Sequence, residues 1–310
     1  MRIVAALGGN ALLRRGQAMT AENQRANIRR VATELAAVAE GNDLIITHGN
    51  GPQIGLLALQ GAAYDPDNVF PLDILDAETE GMIGYLIEQE MTNALPPGRR
   101  SAALLTQIEV DPLDPAFQAP SKPIGPVYAK AEADAVAETH GWLMAAVDGG
   151  YRRVVPSPRP RRIFELDIIE LLVAQGIIVI CAGGGGIATV RRDDGSLFGI
   201  EAVIDKDHAS GMLAAQLKAD AFLMLTDVDA VVDDWGAENA RTIRRAAPRH
   251  LAPFAFQPGS MQPKVTAACE FAEAGGGFAG IGRLEDAQAI LRGEAGTVIA
   301  ADADALTWWD

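Results

Sequence analysis

Strand-like and helix-like segments alternate along most of this chain, and that alternation constrains its fold more than any other feature. Short apolar runs typical of buried strands occur at residues 2–7, 43–47, 101–107, 177–181, 221–226, 278–281 and 297–300. Helix-length segments occur at residues 21–40, 77–93, 164–175, 209–219, 264–274 and 285–292. In the first of these, Ile28, Val31, Leu35 and Val38 form one apolar stripe. The pattern predicts an α/β protein whose largely parallel sheet is covered by helices on both faces.

Two regions break this rhythm. Residues 111–160 are rich in proline, which predicts a small inserted subdomain or lid. Residues 183–201 hold a glycine run and then a segment that predicts a hairpin turning at Asp194 and Gly195. A boundary between two halves is placed near residue 175, although no change of composition marks it.

The overall charge is strongly acidic, at −15 with a pI near 4.7. Nucleic acids and membrane surfaces are polyanions that such a chain repels, so neither is expected as a partner. Any phosphate-bearing ligand must then be bound by a local cluster of donors. Two cysteines, Cys181 and Cys269, are too few for a disulfide framework or a cysteine-rich metal site. The apolar N-terminus reaches Gly-Gly-Asn after seven residues and predicts a strand in a cytoplasmic protein, not a signal peptide.

Three strand candidates are followed by glycine-rich turns, which read LGGNAL, THGNGPQIG and CAGGGGI. Glycine lets the backbone come close to a ligand, and the N–H groups that open a following helix attract anions. One such turn is most simply a tight connection. Three of them in one α/β chain favour phosphate or nucleotide chemistry.

Other ligand-binding signatures fit poorly. The dipeptide Gly-Lys does not occur, which excludes a Walker-type phosphate loop, and HRD and DFG are also absent. Gly183, Gly185 and Ala188 match a loose dinucleotide fingerprint with Asp205 downstream. That fingerprint needs a helix directly after the glycines, where this chain has the turn RRDDGS. Of the four histidines, only His48, beside the second glycine turn, is kept as a supporting residue of the site.

Lysine is rare here, with five residues against twenty-one arginines, so each position is informative. Lys130 and Lys218 suit ordinary solvated helix positions. Lys122 lies between prolines, whereas Lys206 and Lys264 lie near predicted helix starts, where a cation opposes the helix dipole unless an anion binds. Phosphoryl transfer explains all three lysines, because it requires mainly positioning and neutralisation of phosphate charge.

The ordered segments of the chain resemble the carbamate kinases of the amino acid kinase family. They read ALGGNAL, THGNGPQIG, PLDILDAETEGMIGY, TQIEVD, DPAF, KPIG, GYRRVVPSP, GGGGI, VIDKD, TDVD, GSMQPKV and GTVI, and they run from residue 3 to 299. The resemblance implies a single domain, 1–310, built as a three-layer α/β/α sandwich around a long, mainly parallel open sheet. An N-lobe (1–175) would bind carbamoyl phosphate and a C-lobe (176–310) the nucleotide, with a protruding subdomain near 111–160.

The resemblance also implies an activity and its partners. Carbamoyl phosphate and ADP would give carbamate and ATP reversibly, with Mg²⁺ accompanying the nucleotide and two chains forming a homodimer. No protein side chain is assigned to the metal. No general base is required, which agrees with the lack of a convincing catalytic histidine.

Roles for individual residues follow from the same resemblance. Main-chain and amide donors to the transferred phosphoryl group would come from Gly8, Gly9, Asn10, Gly49, Asn50 and Gly51. Lys206 and Lys264 would bridge the donor and acceptor phosphates, and Asp207 would hold both lysines in register. Asp205 is expected only to cap a helix. Lys122 would reach the carbamoyl phosphate from the protruding subdomain. The nucleotide would lie along Thr226, Asp227, Val228, Asp229 and Met261.

Some positions depart from the family pattern, and alternatives stay open. Ala188 stands where family members commonly have proline, and VDDWGAENAR and GEAGTV also differ from the usual wording. These differences bear on the nucleotide contacts.

The alternatives to this function are another acid kinase of the same fold, such as an acetylglutamate- or glutamate-kinase-like enzyme, and a non-catalytic nucleotide or phosphate sensor. A dinucleotide oxidoreductase has the weakest support.

Overall fold

The computed structural model describes residues 1–14, 16–65, 67–234, 236–257 and 259–309. The strands in chain order are β1 (Arg2–Leu7), β2 (Asp43–His48), β3 (Ser101–Ala103), β4 (Gln107–Val110), β5 (Lys122–Tyr128), β6 (Met144–Val147), β7 (Gly150–Val155), β8 (Pro160–Ile163), β9 (Ile178–Ile180), β10 (Ile187–Arg191), β11 (Leu197–Gly199), β12 (Ala221–Thr226), β13 (Ile243–Ala246), β14 (Phe278–Arg283), β15 (Thr297–Ile299) and β16 (Thr307–Trp308).

Ten α-helices connect or flank these strands within the described residues. They are α1 (Gly9–Leu12), α2 (Ala21–Val38), α3 (Gly51–Tyr64), α4 (Leu72–Ala94), α5 (Lys130–His140), α6 (Leu166–Ala174), α7 (Lys206–Gln216), α8 (Pro248–Leu251), α9 (Met261–Glu273) and α10 (Ala287–Leu291). None of the helices in this part of the chain is long and apolar enough to cross a membrane.

Nine strands form one long sheet in the order β16-β13-β15-β14-β12-β1-β2-β9-β3. Every pairing from β3 across to β14 is parallel, as is the β13–β15 pair. The antiparallel pairs are β14–β15 and β13–β16, near one edge. The largely parallel α/β architecture predicted from the alternation is therefore confirmed.

Both faces of this sheet are covered by helices. Ile3, Ala5 and Leu7 of β1 belong to a buried cluster with apolar residues of α2 and α4. Val4 and Ala6, which point to the opposite face, belong to a second cluster with residues of α6, α7 and α9. A strand that is apolar on both faces is what a central parallel strand requires. The predicted apolar stripe of α2 is buried along its whole length.

Two smaller sheets complete the fold. The first has the order β11-β10-β4-β8, and its β10–β11 hairpin turns where the sequence predicted, at Asp194 and Gly195. The second, β5-β7-β6, lies within residues 111–160 and carries α5. It packs against α3 so closely that a Cβ on Gly55 would lie 1.9 Å from the Cα of Gly125. Glycine at position 55 is therefore required for this sheet to approach the main body.

One predicted strand was wrong, and one long helix was missed. Residues 101–107 were expected to form one strand, but β3 ends at Ala103 and β4, which starts at Gln107, belongs to another sheet. Helix α3 was not among the predicted helices. Its stretch from Ile54 to Ala63 has glutamine as its only strongly polar residue, so no polar face alternates with an apolar one to reveal the helical period.

Candidate functional site

The site lies where parallel strands β1, β2, β9 and β12 end. Because their carboxyl ends meet at one edge of the sheet, the turns that follow them are neighbours. A Cβ on Gly49 would lie 3.5 Å from Cδ of Lys206 and 3.7 Å from the amide nitrogen of Gly9. A Cβ on Gly8 would lie 3.1 Å from the carbonyl oxygen of Leu225. The turns after β1 and β2 thus meet beside the aliphatic stem of Lys206, and the turn after β1 lies against the end of β12.

One buried carboxylate holds two lysines at this edge. Nζ of Lys206 donates to Oδ1 of Asp207 at 2.5 Å, and Nζ of Lys264 donates to Oδ2 of the same carboxylate at 2.8 Å. The two lysine side chains are each 11% exposed, and that of Asp207 is 6% exposed. Lys206 opens α7 and Lys264 lies in the first turn of α9. The structure therefore brings together Lys206, Asp207 and Lys264, which the sequence predicted to act as a unit.

Burial and mutual contact set the charges of this cluster. Burial would raise the pKa of Asp207, but the two lysine ammoniums hold it well below its usual range. Burial lowers the pKa of Lys206 from 10.5 to about 8, against the opposing effect of Asp207 and with a further lowering by Lys264. Burial also acts against the charge of Lys264, yet its contact with Asp207 raises its pKa. The cluster has one net positive charge when both lysines are protonated, and it can attract an anion.

Lys122 reaches the same region from the three-stranded sheet. Its Nζ donates to Oδ2 of Asp205 at 2.5 Å. The other oxygen of Asp205 caps α7, because it accepts from the amides of Asp207 and His208 at 2.9 and 3.4 Å. Burial would raise the pKa of Asp205, and the Lys122 ammonium is the main influence that holds it below its usual value.

Asp205 therefore does more than the sequence predicted. Besides capping α7, it pairs with Lys122 and ties the three-stranded sheet to the start of the helix that carries Lys206. The sequence could not reveal the pairing of Asp205 with Lys122, because 83 residues separate the two partners.

The glycine turns differ in which groups remain available to a ligand. The amide of Gly8 donates to the carbonyl of Leu225 at 2.8 Å, and that of Gly49 donates to the carbonyl of Leu7 at 3.2 Å. These two expected main-chain donors are therefore used within the sheet, and their glycines provide space instead. The amides of Gly9 and Gly51 open α1 and α3, where an amide has no acceptor in its own helix.

The turns after β1 and β2 also contain the asparagines Asn10 and Asn50. The side-chain amide of Asn50, expected to contact the phosphoryl group, donates instead to Asp76 and, at 2.8 Å, to Thr79. Asn50 therefore shapes the turn, and both of its side-chain N–H groups are engaged within the protein. The backbone of Asn10 lies in α1, whereas its side chain lies outside the described part of the structure.

The residues assigned to the nucleotide side belong to two segments, one that starts at the end of β12 and one that opens α9. Thr226 ends β12, whose last residues run beside Gly8. Asp227 and Val228 follow in the loop, and Asp229 forms an ion pair with Arg283 at 3.1 Å. Met261 opens α9, three residues before Lys264, and packs against the core.

Comparison with known proteins agrees with this geometry. The model of the amino acid kinase family matches residues 1–278. A carbamate kinase of Haemophilus influenzae is 52% identical over 309 residues and covers the whole of both chains. One of Rhizobium meliloti is 51% identical, with 99% of this chain and 96% of that protein covered. The structure of carbamate kinase from Giardia lamblia bound to AMP-PNP has a TM-score of 0.86 at 36% identity, covering 96% of this chain and 98% of that one. The chain belongs to the amino acid kinase family and, within it, to the carbamate kinases.

Proposed function

We propose that this chain transfers a phosphoryl group reversibly between carbamoyl phosphate and ADP, giving ATP and carbamate, which is the adduct of ammonia and CO₂. The observation that carries the proposal is the pair of buried lysines held by Asp207 beside the glycine turns. Relatives about 50% identical over the whole chain are carbamate kinases, and the Giardia lamblia relative was solved with AMP-PNP, an analogue of ATP.

The reaction needs no proton transfer by the protein. The bond between the carbamoyl oxygen and phosphorus breaks as a bond between phosphorus and a terminal oxygen of ADP forms, and the carbamate leaves as an anion. Catalysis is therefore mainly positioning and charge neutralisation. In this arrangement Lys206 and Lys264 neutralise the non-bridging oxygens of the moving group. The amides that open α1 and α3 donate to the same oxygens.

Asp207 and Asp205 have complementary tasks in this mechanism. Asp207 fixes the spacing of the two bridging lysines and keeps them charged in a buried site. Asp205 holds Lys122 of the three-stranded sheet next to them. An incoming carbamoyl phosphate would compete with Asp205 for Lys122, so that the sheet closes over the substrate.

Mg²⁺ would enter with the nucleotide. Among the described residues, no group of three or more His, Cys, Asp or Glu side chains is placed to hold a metal ion, and Asp205 and Asp207 are occupied by lysines. This donor set fits an ion carried by nucleotide phosphates and water, because Mg²⁺ keeps several waters and takes few protein ligands. Bound with the nucleotide, the ion would supply further positive charge for phosphoryl transfer. The residues from Thr226 to Asp229 and Met261 would border the nucleotide itself.

A homodimer is also part of the proposal. Helix α4 exposes Ile74, Met82 and Tyr85 on one side, and Leu105 and Phe198 are exposed near the same helix. An apolar face of this kind on a protein surface is typical of a subunit interface.

Charging this face tests the dimer. Tyr85→Glu is expected to shift the mass measured by light scattering toward one chain, because it places a charge in the apolar face. Tyr64→Glu changes an exposed tyrosine at the end of α3, outside the face, and should leave the mass unchanged. A monomeric wild type would contradict the proposal.

The function is tested by measuring ATP formation from ADP and carbamoyl phosphate with the purified protein and Mg²⁺. Activity with this pair, and none when ATP is offered with glutamate or acetylglutamate, is expected. Transfer to either amino acid would show another acid kinase of the same fold. Nucleotide binding without turnover would show a sensor.

The pH dependence follows from the lowered pKa of Lys206. Because burial lowers that pKa to about 8, the protonated fraction of Lys206 in the free enzyme falls as the pH rises through 8. We expect kcat/KM for carbamoyl phosphate to decline above this pH. Lys206→Arg should be slower but should lose the alkaline decline, since arginine stays charged. A wild-type profile that stays flat to pH 10 would contradict the assignment.

A further inference from the structure

The N-terminal half of helix α4 buries three polar side chains. Asp76 and Thr79 are fully buried and Glu80 is 3% exposed. They share one face of the helix with Leu72, Ile83 and Ile87. Carboxyl groups are rarely buried without a partner, because leaving water costs them free energy that hydrogen bonds must offset. Asp76 and Thr79 contact Asn50 in the turn after β2. Glu80 contacts Gly183 in the turn after β9 and also Thr106 between β3 and β4.

The turn after β2 is held through Asn50. The side-chain amide of Asn50 donates to Oδ1 of Asp76 and to Oγ1 of Thr79. The Thr79 hydroxyl in turn donates to the backbone carbonyl of Asp76 at 3.0 Å. Asn50 is the residue directly before α3, so these bonds fix the point at which α3 begins and the direction of the Gly51 amide.

The turn after β9 is held through Glu80. Its Oε1 accepts from the amide of Gly183 at 2.8 Å, and its Oε2 accepts from the amide of Thr106 at 3.1 Å. The hydroxyl of Thr106 accepts from the amide of Ala182 at 2.9 Å. One carboxyl group therefore fixes the start of the turn after β9.

The two turns also pack directly on each other. A Cβ on Gly184 would lie 2.2 Å from Nδ2 of Asn50, and one on Gly183 would lie 2.4 Å from Cε1 of His48. A Cβ on Gly185 would lie 2.4 Å from the carbonyl of Ile204, two residues before Lys206. The turn after β9 therefore packs against both the turn after β2 and the segment that leads into α7.

We propose that Asp76 and Glu80, one helical turn apart on α4, are positioning residues for phosphoryl transfer. They hold the turns after β2 and β9 in one arrangement and thereby fix the turn that packs beside Lys206 and carries the Gly51 amide. The inference rests on the proposed function, since it concerns the same reaction. Neither carboxyl group needs to touch the substrate.

The electrostatics of the pair suit this task. Burial raises the pKa of Asp76 to about 8 and also raises that of Glu80. Burial lowers the pKa of the neighbouring His48 to about 4, so His48 is neutral near pH 7. A neutral Asp76 can still accept from Asn50 without placing a negative charge close to the transferred phosphoryl group.

The test compares variants that differ in what they offer Asn50. Asp76→Ala removes the acceptor and is expected to lower kcat about tenfold to hundredfold, the size of effect that a displaced catalytic group produces. Asp76→Asn keeps a side-chain oxygen and should recover most of that loss. Thr79→Val removes the second acceptor with little change of shape, so it serves if Asp76→Ala does not fold. In each case the KM for ADP should stay near the wild-type value, because these contacts lie away from the nucleotide side.

Glu90→Ala is the matched control. Glu90 is equally buried on α4 but pairs with Arg29 at 3.2 Å and does not contact either turn. It should lower the melting temperature without lowering kcat. The proposal is overturned if Asp76→Ala keeps wild-type kcat, if Asp76→Asn is as slow as Asp76→Ala, or if Glu90→Ala loses as much kcat.

A binding readout separates this inference from the proposed function. Calorimetry should show weaker binding of carbamoyl phosphate to Asp76→Ala than to wild type, whether or not turnover occurs. An inactive wild type with this difference in affinity overturns the proposed function and leaves the positioning role standing. An active wild type whose variants all match it overturns the positioning role alone.

Discussion

Lys206→Ala is expected to lower kcat/KM for ATP formation about hundredfold or more, the size found when one group that stabilises transition-state charge is removed. Lys206 is the lysine whose stem packs next to Gly49, close to the Gly9 amide that opens α1. In the transition state the charge of the moving phosphoryl group is spread over its non-bridging oxygens, so the loss of one group that neutralises it slows the reaction directly.

The controls for this prediction use the same residue type in other settings. Lys130→Ala removes an exposed lysine whose partner is Asp134, four residues along α5, and should leave turnover unchanged. Lys264→Ala should lose a similar factor to Lys206→Ala, and the double variant should lose less than the product of the two, because both lysines act on one group. Lys122→Ala should mainly raise the KM for carbamoyl phosphate. A Lys206→Ala enzyme that remains as fast as wild type would exclude the mechanism.

Asp207→Ala is expected to cost both stability and activity. Removing one partner of a buried ion pair leaves an uncompensated charge and typically costs about 3–5 kcal/mol of unfolding free energy. Here two ammoniums would face each other without the carboxylate that separates them. Urea unfolding followed by circular dichroism measures the first effect, and steady-state kinetics measures the loss of lysine register. Asp134→Ala, which breaks an exposed pair, should leave the unfolding free energy nearly unchanged.

Ligand binding gives this second prediction a distinctive signature. A phosphate that bridges Lys206 and Lys264 replaces the missing carboxylate as their counter-charge. ADP with carbamoyl phosphate should therefore raise the melting temperature of Asp207→Ala by more than that of wild type. An equal or smaller rise would mean that the lysines do not meet the phosphates.

Local sequence patterns predicted much of the fold. The stripe of Ile28, Val31 and Leu35 predicted α2, because a helix repeats every 3.6 residues whatever it packs against. The runs at Arg2–Leu7 and Ala221–Thr226 matched strands to the residue, since strands buried on both faces are apolar throughout. Helix α3 escaped prediction for the converse reason, as its apolar residues surround it on all sides and leave no period to detect.

The spacing of Asp76 and Glu80 contains a signal that could have predicted their burial on α4. Asp76 and Glu80 fall at helical spacing with Leu72, Ile83 and Ile87, but the predicted helix began at residue 77 and left Leu72 and Asp76 outside it. Buried carboxyl groups require partners, and the partners could not be named because they lie in distant segments of the chain.

The sequence by itself determined the fold class, the glycine turns and the three lysines, because these depend on local spacing and on residue chemistry. Only the tertiary structure decided which groups are free to act. Sheet hydrogen bonds use the amides of Gly8 and Gly49, and Asp76 and Thr79 hold the side chain of Asn50. Asp205 likewise gained its second partner, Lys122, only through folding. Each of these outcomes depends on contacts between segments far apart in the chain, and such contacts leave no local pattern.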